Sequence, residues 1–362
     1  MRFSLLGLLL ALPFFAGALG MLDDFESDVE FLDKSYSDLK KNGLKSNFRD
    51  EYRARITVVS DRAFRTLCRV HGAEYLCSEM VSAAAICYGD KKTPALARFD
   101  EAEMPIAIQL FGHDPAMMAE AARCIATGTL AEDVRIPAAI DINMGCPVKK
   151  IVSNGEGSAL MRTPALAAEI VRAAVKAVNL PVTVKIRAGY GDAHKNAPEL
   201  AKYLEDAGAA MICVHGRTRE QMYAGRADLH VIAAVKAAVR VPVVGNGDIF
   251  SAADARRMLR ETGCDGVMIA RGAMGNPWIF DELRADIDGV PFTPPTDREI
   301  IDTAVEHLDL MCADKPAAVA VREARKLIAY YIHGFPGAAA ARGAINAAET
   351  AEEVKAILYG LV

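Results

Sequence analysis

From Arg53 onward, short apolar runs alternate with Ala-rich stretches of helical period, and this alternation leaves few folds open. Candidate strands fall at residues 53–59, 75–80, 106–111, 139–143, 182–186, 211–214, 241–245 and 266–269. Helical patterns fill the gaps at 115–126, 164–178, 197–207, 229–239 and 252–259. Strands separated by helices cannot pair as hairpins, so they predict parallel βα units. Eight such units over roughly 230 residues match an α/β fold of the (β/α)8 TIM-barrel type, which takes about 250 residues. A doubly wound open sheet is the alternative, but the G-x-G-x-x-G turn it would want after its first strand is missing. After Trp278 the strand pattern stops, and DGVPFTPPTD reads as a Pro-rich boundary. Residues 298–362 then carry three or four amphipathic helices broken at HGFPGA. The predicted organisation is an atypical N-terminal segment at 1–52, a barrel at 53–290 and a small helical domain at 295–362.

In a barrel of this kind the working residues stand where strands end, on the face built by the βα loops. Five consecutive predicted strands run into unusual polar or Gly-rich endings: DINMGCP, KIRAG, HGRT, GNGD and ARGA. Loops after strands seven and eight commonly bind phosphate through backbone N–H groups. There, Gly245, Asn246, Gly247 and Asp248, with Ala270, Arg271 and Gly272, supply close-approach glycines and a cation, so a ligand with a terminal phosphate is expected. Lys185 and Arg187 stand two apart on one strand and share a face, as do His215 and Arg217 around the next strand end. Crowded cations need an anion or an electron-rich ring between them, or else a buried salt-bridge network with Asp141 or Asp248. Cys146, held between Gly145 and Pro147 at the end of strand four, is a candidate nucleophile or proton donor. Cys213 and Cys264 fit inert packing better.

Composition limits the other classes. Hydrophobic residues make up 52% and charged residues 25%, ordinary for a globular chain. The formal net charge of −5 gives no global basic field, so nucleic-acid binding would need a local cluster of Lys and Arg. None of the eight cysteines forms a C-x-x-C pair, so no metal site is expected. At the N-terminus, Arg2 precedes an uncharged apolar run over residues 3–22, with Ala18-Leu19-Gly20 resembling a cleavage site. That is the pattern of a secretory signal or short anchor.

DINMGCPVKK, VTVKIRAGY, VHGRTREQMYAG, VPVVGNGDI and GVMIARGAMGNPWIF, in this order, resemble the tRNA-dihydrouridine synthases. SDRAFRTLCRVHGAEYLCSEMVSA and the Gln of IAIQLFG extend the likeness to about five-sixths of the chain. The resemblance implies an FMN enzyme that reduces the 5,6 double bond of particular uridines in tRNA, with NADPH as reductant. It implies Cys146 as the acid protonating carbon 5 while reduced flavin delivers hydride to carbon 6. Gln109, Lys185 and His215 would line the flavin, and Asn246, Gly247, Asp248, Ala270 and Arg271 would bind its ribityl-phosphate end. Asn143 and Arg187 would touch the target uracil. The helical domain would hold the tRNA body through Arg322, Arg325, Lys326 and Arg342. tRNA chemistry predicts a cytoplasmic or organellar protein without stable membrane association once the N-terminal run is absent or removed.

One departure bears on the cofactor. The family's first strand ends in a loop close to A-P-M-A-G, whereas this chain has Ala54-Arg55-Ile56-Thr57-Val58 in register. The proline and the close-approach glycine are missing, so weakened flavin binding is expected, and the first ~58 residues read as foreign to the family. Two other readings follow: a catalytically silent tRNA-binding protein of the same fold, or a barrel flavoenzyme acting on a small molecule.

Overall fold

The computed structural model describes residues 54–56 and 61–362, the first three by backbone alone. The signal-like run, the polar segment after it and residues 57–60 of the altered first-strand loop lie outside the described residues. Residues 53–362 form one compact unit.

Eight parallel strands build the centre: β1 (Ala54–Ile56), β2 (Leu76–Ser82), β3 (Ile106–Phe111), β4 (Ala139–Met144), β5 (Val182–Arg187), β6 (Met211–His215), β7 (Val243–Asn246) and β8 (Gly266–Ile269). The sheet runs β1-β8-β7-β6-β5-β4-β3-β2, the cyclic order of a TIM barrel. β1 pairs with β8 from Ala54↔Val267 to Ile56↔Ile269. β1 and β2 come within 8 Å at their Cα atoms, but no ladder joins them among the described residues. Between β2 and β3 the register shifts between Cys77 and Met80.

The helices in chain order are α1 (Arg62–Val70), α2 (Ala83–Cys87), α3 (Pro115–Ala126), α4 (Lys149–Val152), α5 (Pro164–Ala177), α6 (Ala197–Asp206), α7 (Leu229–Ala238), α8 (Ala252–Thr262), α9 (Ile279–Asp288), α10 (Asp297–Asp314), α11 (Ala317–Tyr331), α12 (Ala338–Ala347) and α13 (Ala351–Tyr359). Their ends have local causes. Asp114 caps α3 by accepting from Met117 N–H at 2.8 Å, and Ser251 caps α8 through Asp254 N–H at 3.2 Å. Gly263 stops α8 with φ 65°, a left-handed conformation that glycine adopts without cost. Capping boxes of Thr296 with Glu299 and Thr350 with Glu353 start α10 and α13.

Strand alternation sorts the side chains into two sets. Ile108, Leu110, Ile140, Ile142, Val184 and Ile186 are completely buried and face the helical layer. Each such side chain contributes roughly 1.5–3 kcal/mol by leaving water. The other set faces the barrel interior, where Cys77, Ala107 and Ala139 pack with Tyr75, and Met211 with Cys213, Val244 and Met268. The last four helices pack among themselves and seat on α1 through α10. There, His307 of α10 lies beside Phe64, ring centroids 5.4 Å apart, and its Nε2 stands 3.5 Å from the Asp61 carboxylate. Lys315 reaches the same carboxylate at 3.5 Å, and Arg62 bonds Asp314 at 2.9 Å. Among the described residues no helix is long and apolar enough to cross a membrane.

Candidate active site at the barrel mouth

Strand register sets the interior polar groups in rungs. Gln109, Asp141 and Thr183 lie opposite one another across β3, β4 and β5. Asn143, Lys185 and Cys213 form the next rung, and Arg187, His215 and Asn246 the one above. Gln109, Asn143, Lys185, Arg187, His215 and Asn246 therefore come together from five consecutive strands.

The lower rungs are tied internally. Gln109 donates to Asp141 at 2.7 Å and accepts from Asn143 at 2.8 Å. Thr183 donates to the other oxygen of Asp141. Burial pushes the Asp141 carboxyl up, against the pull of Thr183, Gln109 and Lys185. The Asn143 side-chain oxygen accepts from the N–H groups of Gly145 at 3.0 Å and Cys146 at 2.8 Å. This local turn holds the loop that carries the thiol. A short polar side chain bonding the backbone two and three residues on is a signal readable in N-M-G-C, and sequence reasoning passed over it.

Cys146 is buried and unpaired with any disulfide partner. Its carbonyl accepts from Ser158 Oγ at 2.8 Å. Gly157, at φ 58°, packs so closely that a Cβ there would lie 3.0 Å from the cysteine Cβ. Burial pushes the thiol up, outweighing the Val148 N–H and the charge of Arg187, so it stays protonated at neutral pH. Arg187 is buried alongside, donating Nε to the Gly145 carbonyl at 2.7 Å and Nη1 to the carbonyls of Thr218 and Met222 at 3.1 Å each. Its Nη2 has no partner among the described residues.

Lys185 and His215 are the uncommitted groups. Neither makes a hydrogen bond or ion pair among the described residues, and burial pushes the Lys185 ammonium down. For His215, burial first and then Lys185, Arg187, Arg217 and Arg271 lower the pKa to about 2. The imidazole is therefore neutral, with one ring nitrogen able to donate and the other to accept.

At the ends of β7 and β8 the cations divide. Arg217 is fully buried in a bidentate pair with Asp248, both contacts at 2.8 Å, and also bonds the Ala224 and Gly225 carbonyls. The salt-bridge alternative holds for Arg217. It does not hold for Lys185. Asp248 also accepts from Ala227 N–H at 2.8 Å, and its carboxyl sits below the usual range: burial works to raise it, but Arg217, Ala227 and Arg271 prevail. Arg271 touches Asp248 at 3.2 Å with one nitrogen and makes no other hydrogen bond among the described residues. Gly247 has φ 123°, and a Cβ there would meet Ala227 at 2.7 Å and the His215 ring at 2.9 Å. The N–H groups of Gly247 and Asp248 donate to nothing among the described residues. Asn246 donates to the Met268 carbonyl at 2.9 Å, and Ala270 leads into the short turn Arg271–Ala273. Free N–H groups beside an open guanidinium suit a phosphate. An uncommitted ammonium and a neutral imidazole below suit an electron-rich ring.

Away from the mouth, Arg322 and Lys326 are exposed on α11, while Arg325 donates to the Ala348 carbonyl at 2.8 Å and holds α12. Among the described residues no group of three or more His, Cys, Asp or Glu side chains could hold a metal ion.

Comparison with known proteins agrees over the same span. The family model described as dihydrouridine synthase (Dus) matches residues 54–359. The tRNA-dihydrouridine synthase B of Xanthomonas axonopodis pv. citri is 43% identical over 295 residues, 81% of this chain and 86% of the relative. A probable tRNA-dihydrouridine synthase of Mycobacterium tuberculosis is 42% identical over 314 residues, covering 83% of this chain and 79% of its own. With the barrel, the polar rungs and this identity over most of its length, the chain belongs to the dihydrouridine synthase family and is an oxidoreductase of that kind.

Proposed function

We propose that this enzyme reduces specific uridines of tRNA to 5,6-dihydrouridine, with FMN as cofactor and NADPH as reductant. The observation that carries the proposal is the pairing of a buried, protonated thiol, Cys146, with the uncommitted groups of Lys185 and His215 in adjoining rungs. Lys185 and His215 would hold the flavin ring, and the free N–H groups of Gly247 and Asp248 with Arg271 its phosphate. Gln109, Asn246 and Ala270 would complete that wall, with Gln109 acting from within its bonds to Asp141 and Asn143. A bound flavin supplies the hydride for uracil carbon 6, drawn from NADPH.

The chain's own residues do the rest. A uracil in folded RNA is stacked, so it must be drawn into the mouth to react. Arg187 would meet it through its open Nη2, and Asn143 through its remaining amide hydrogen. Hydride at carbon 6 leaves negative charge conjugated to the carbonyl, which nearby cations favour. The Cys146 thiol hands its proton to carbon 5, and solvent restores it. The exposed Arg322, Lys326 and the partly exposed Arg342 on the last helices would contact the tRNA body, and 295–362 would act as a tRNA-binding domain beside the barrel at 53–290. The site of action would be the cytoplasm or an organelle holding tRNA.

The altered stretch Ala54–Val58 favours a second reading, a tRNA-binding protein without flavin. The visible absorption of the purified chain separates the two. Bound flavin, bleached by NADPH and recovered on adding tRNA with dihydrouridine formed, is the expected result. A folded chain that stays colourless with added FMN overturns the enzyme reading.

A further inference from the structure

Two aromatic side chains at the barrel mouth, Tyr223 and Phe250, take no part in the chemistry above. Arg271 lies over the ring of Tyr223, 4.8 Å from its centroid, and 5.8 Å from that of Phe250. Both aromatics stand open to solvent, Tyr223 at 55% and Phe250 at 51%. They belong to the loops after β6 and β7, and Arg271 follows β8. Exposed rings flanking a guanidinium add nothing to the core and remain wet in the isolated chain.

The backbone beneath them is strained. Among the described residues only Met222 and Asp248 combine a side chain with positive φ, at 49° and 54°. Met222 immediately precedes Tyr223, and Asp248 lies two residues before Phe250 and holds Arg271. A left-handed conformation costs an L-residue roughly 1–2 kcal/mol. Such strain gathers at sites where surrounding structure fixes a side chain for use. Arg187 supplies the fixing at Met222, bonding its carbonyl at 3.1 Å while the same guanidinium bonds Gly145 beside Cys146. One guanidinium therefore ties the backbone just before Tyr223 to the loop that carries the reacting thiol. The exposed Arg226 and Arg271 and the half-buried Arg219 lie on the same loops, in a chain of net charge −5.

We propose that the open face of Tyr223, backed by Arg271 and Phe250, is a stacking platform for the base next to the extracted uridine. The inference rests on the tRNA reading above and deepens it. Drawing one base out of a stack exposes the face of its neighbour, and an aromatic ring at the pocket rim covers that face regardless of which base it is. The cations alongside take the phosphates of the same strand. A ring stacks on the face of any base, so the platform would secure the strand without reading its sequence.

The test is the affinity of the flavin-loaded full chain for unmodified tRNA, measured by fluorescence anisotropy across a salt series. Stacking and phosphate contacts separate there, because only ionic contacts change the slope of log K against log salt, by about 0.7 per phosphate on single strands. Tyr223→Ala should weaken binding about tenfold at every salt concentration with the slope unchanged. Tyr223→Phe, which keeps the ring, should bind within about twofold of the native chain. If Tyr223→Ala binds as tightly as the native chain, the platform is wrong while the tRNA reading stands. A slope reduced by about one phosphate contact would also overturn it, making Tyr223 a holder of Arg271. A native chain that neither binds nor reduces tRNA removes the function itself, an outcome distinct from both.

Discussion

Asp61→Asn tests how the last helices are fastened to the barrel. Asp61 caps α1 through Phe64 N–H at 3.0 Å, and its carboxylate faces His307 of α10 and Lys315 just beyond it, each at 3.5 Å. Burial alone would raise its pKa, but His307, the Phe64 N–H and Lys315 overcome that and bring it from 3.8 to about 2. The side chain is only 9% exposed, so solvent screens little of this. A carboxyl whose pKa falls on folding stabilises the fold above its unfolded pKa, and that stability disappears as pH drops through the folded value. The drop corresponds to about 2 kcal/mol at neutral pH, lost between about pH 4 and pH 2 and roughly halved by pH 3. Asparagine caps a helix as well as aspartate does, so the substitution removes the charge and keeps the cap. Glu79, pushed up by burial and by Asp61, is relieved in the variant, which makes about 2 kcal/mol an upper figure. Urea unfolding followed through Trp278, the sole tryptophan, should give that difference at pH 7 and about half of it at pH 3. Asp61→Ala should lose about 1 kcal/mol more, from the cap. A pH 7 difference below about 0.5 kcal/mol, or one that stays constant down to pH 3, would refute the reasoning.

Other outcomes follow from the mouth. Cys146→Ala should slow dihydrouridine formation by about 10²–10⁴-fold, measured in single turnover with pre-reduced enzyme, since a positioned acid contributes about that much. With the native thiol raised by burial, the rate should hold through neutral pH and fall only as the thiol ionises in the alkaline range. Gly247→Ala should reduce the flavin retained after gel filtration, because its Cβ would press on Ala227 and His215 at a backbone angle that alanine resists.

Much of this architecture was legible in the residues, for reasons that differ by element. β3 and β8 run from Ile106 to Phe111 and from Gly266 to Ile269, as read, because their apolar runs end at a Gly or a polar boundary. The four helices after residue 295 follow from their amphipathic period and the HGFPGA break. α9 was missed because Ile279, Phe280 and Leu283 make only one apolar turn, too short to show a period. The shared face of Lys185 and Arg187 follows from strand geometry alone. Cross-strand register does not, so the bond of Asn143 to Gln109 and the commitment of Arg217 to Asp248 were open until strands 31 or more residues apart were aligned. The neutrality of His215 depends on burial and on four cations, of which only Arg217 is near it in sequence; Lys185, Arg187 and Arg271 come from other strands. Tyr223 and Phe250 carry no signal of their own in the sequence, because only the fold brings Arg271 to both rings.

The seam between β1 and β2 has a consequence for how the chain is made. Among the described residues β1 finds its only ladder on β8, more than 200 residues later, and Arg62 at the start of α1 reaches Asp314, 252 residues away. During synthesis the first strand must therefore wait, unpaired, until nearly three-quarters of the polypeptide has left the ribosome. Its helix ties early to Asp100 and Glu103 and gains the contact with Asp314 only when α10 follows. Closing so long a loop costs little more entropy than closing one half its length, so the delay is a matter of time and exposure rather than of final stability. A chain arrested after β8 but before α10 would carry a complete set of barrel strands whose entry strand is held, among the described residues, at one edge alone.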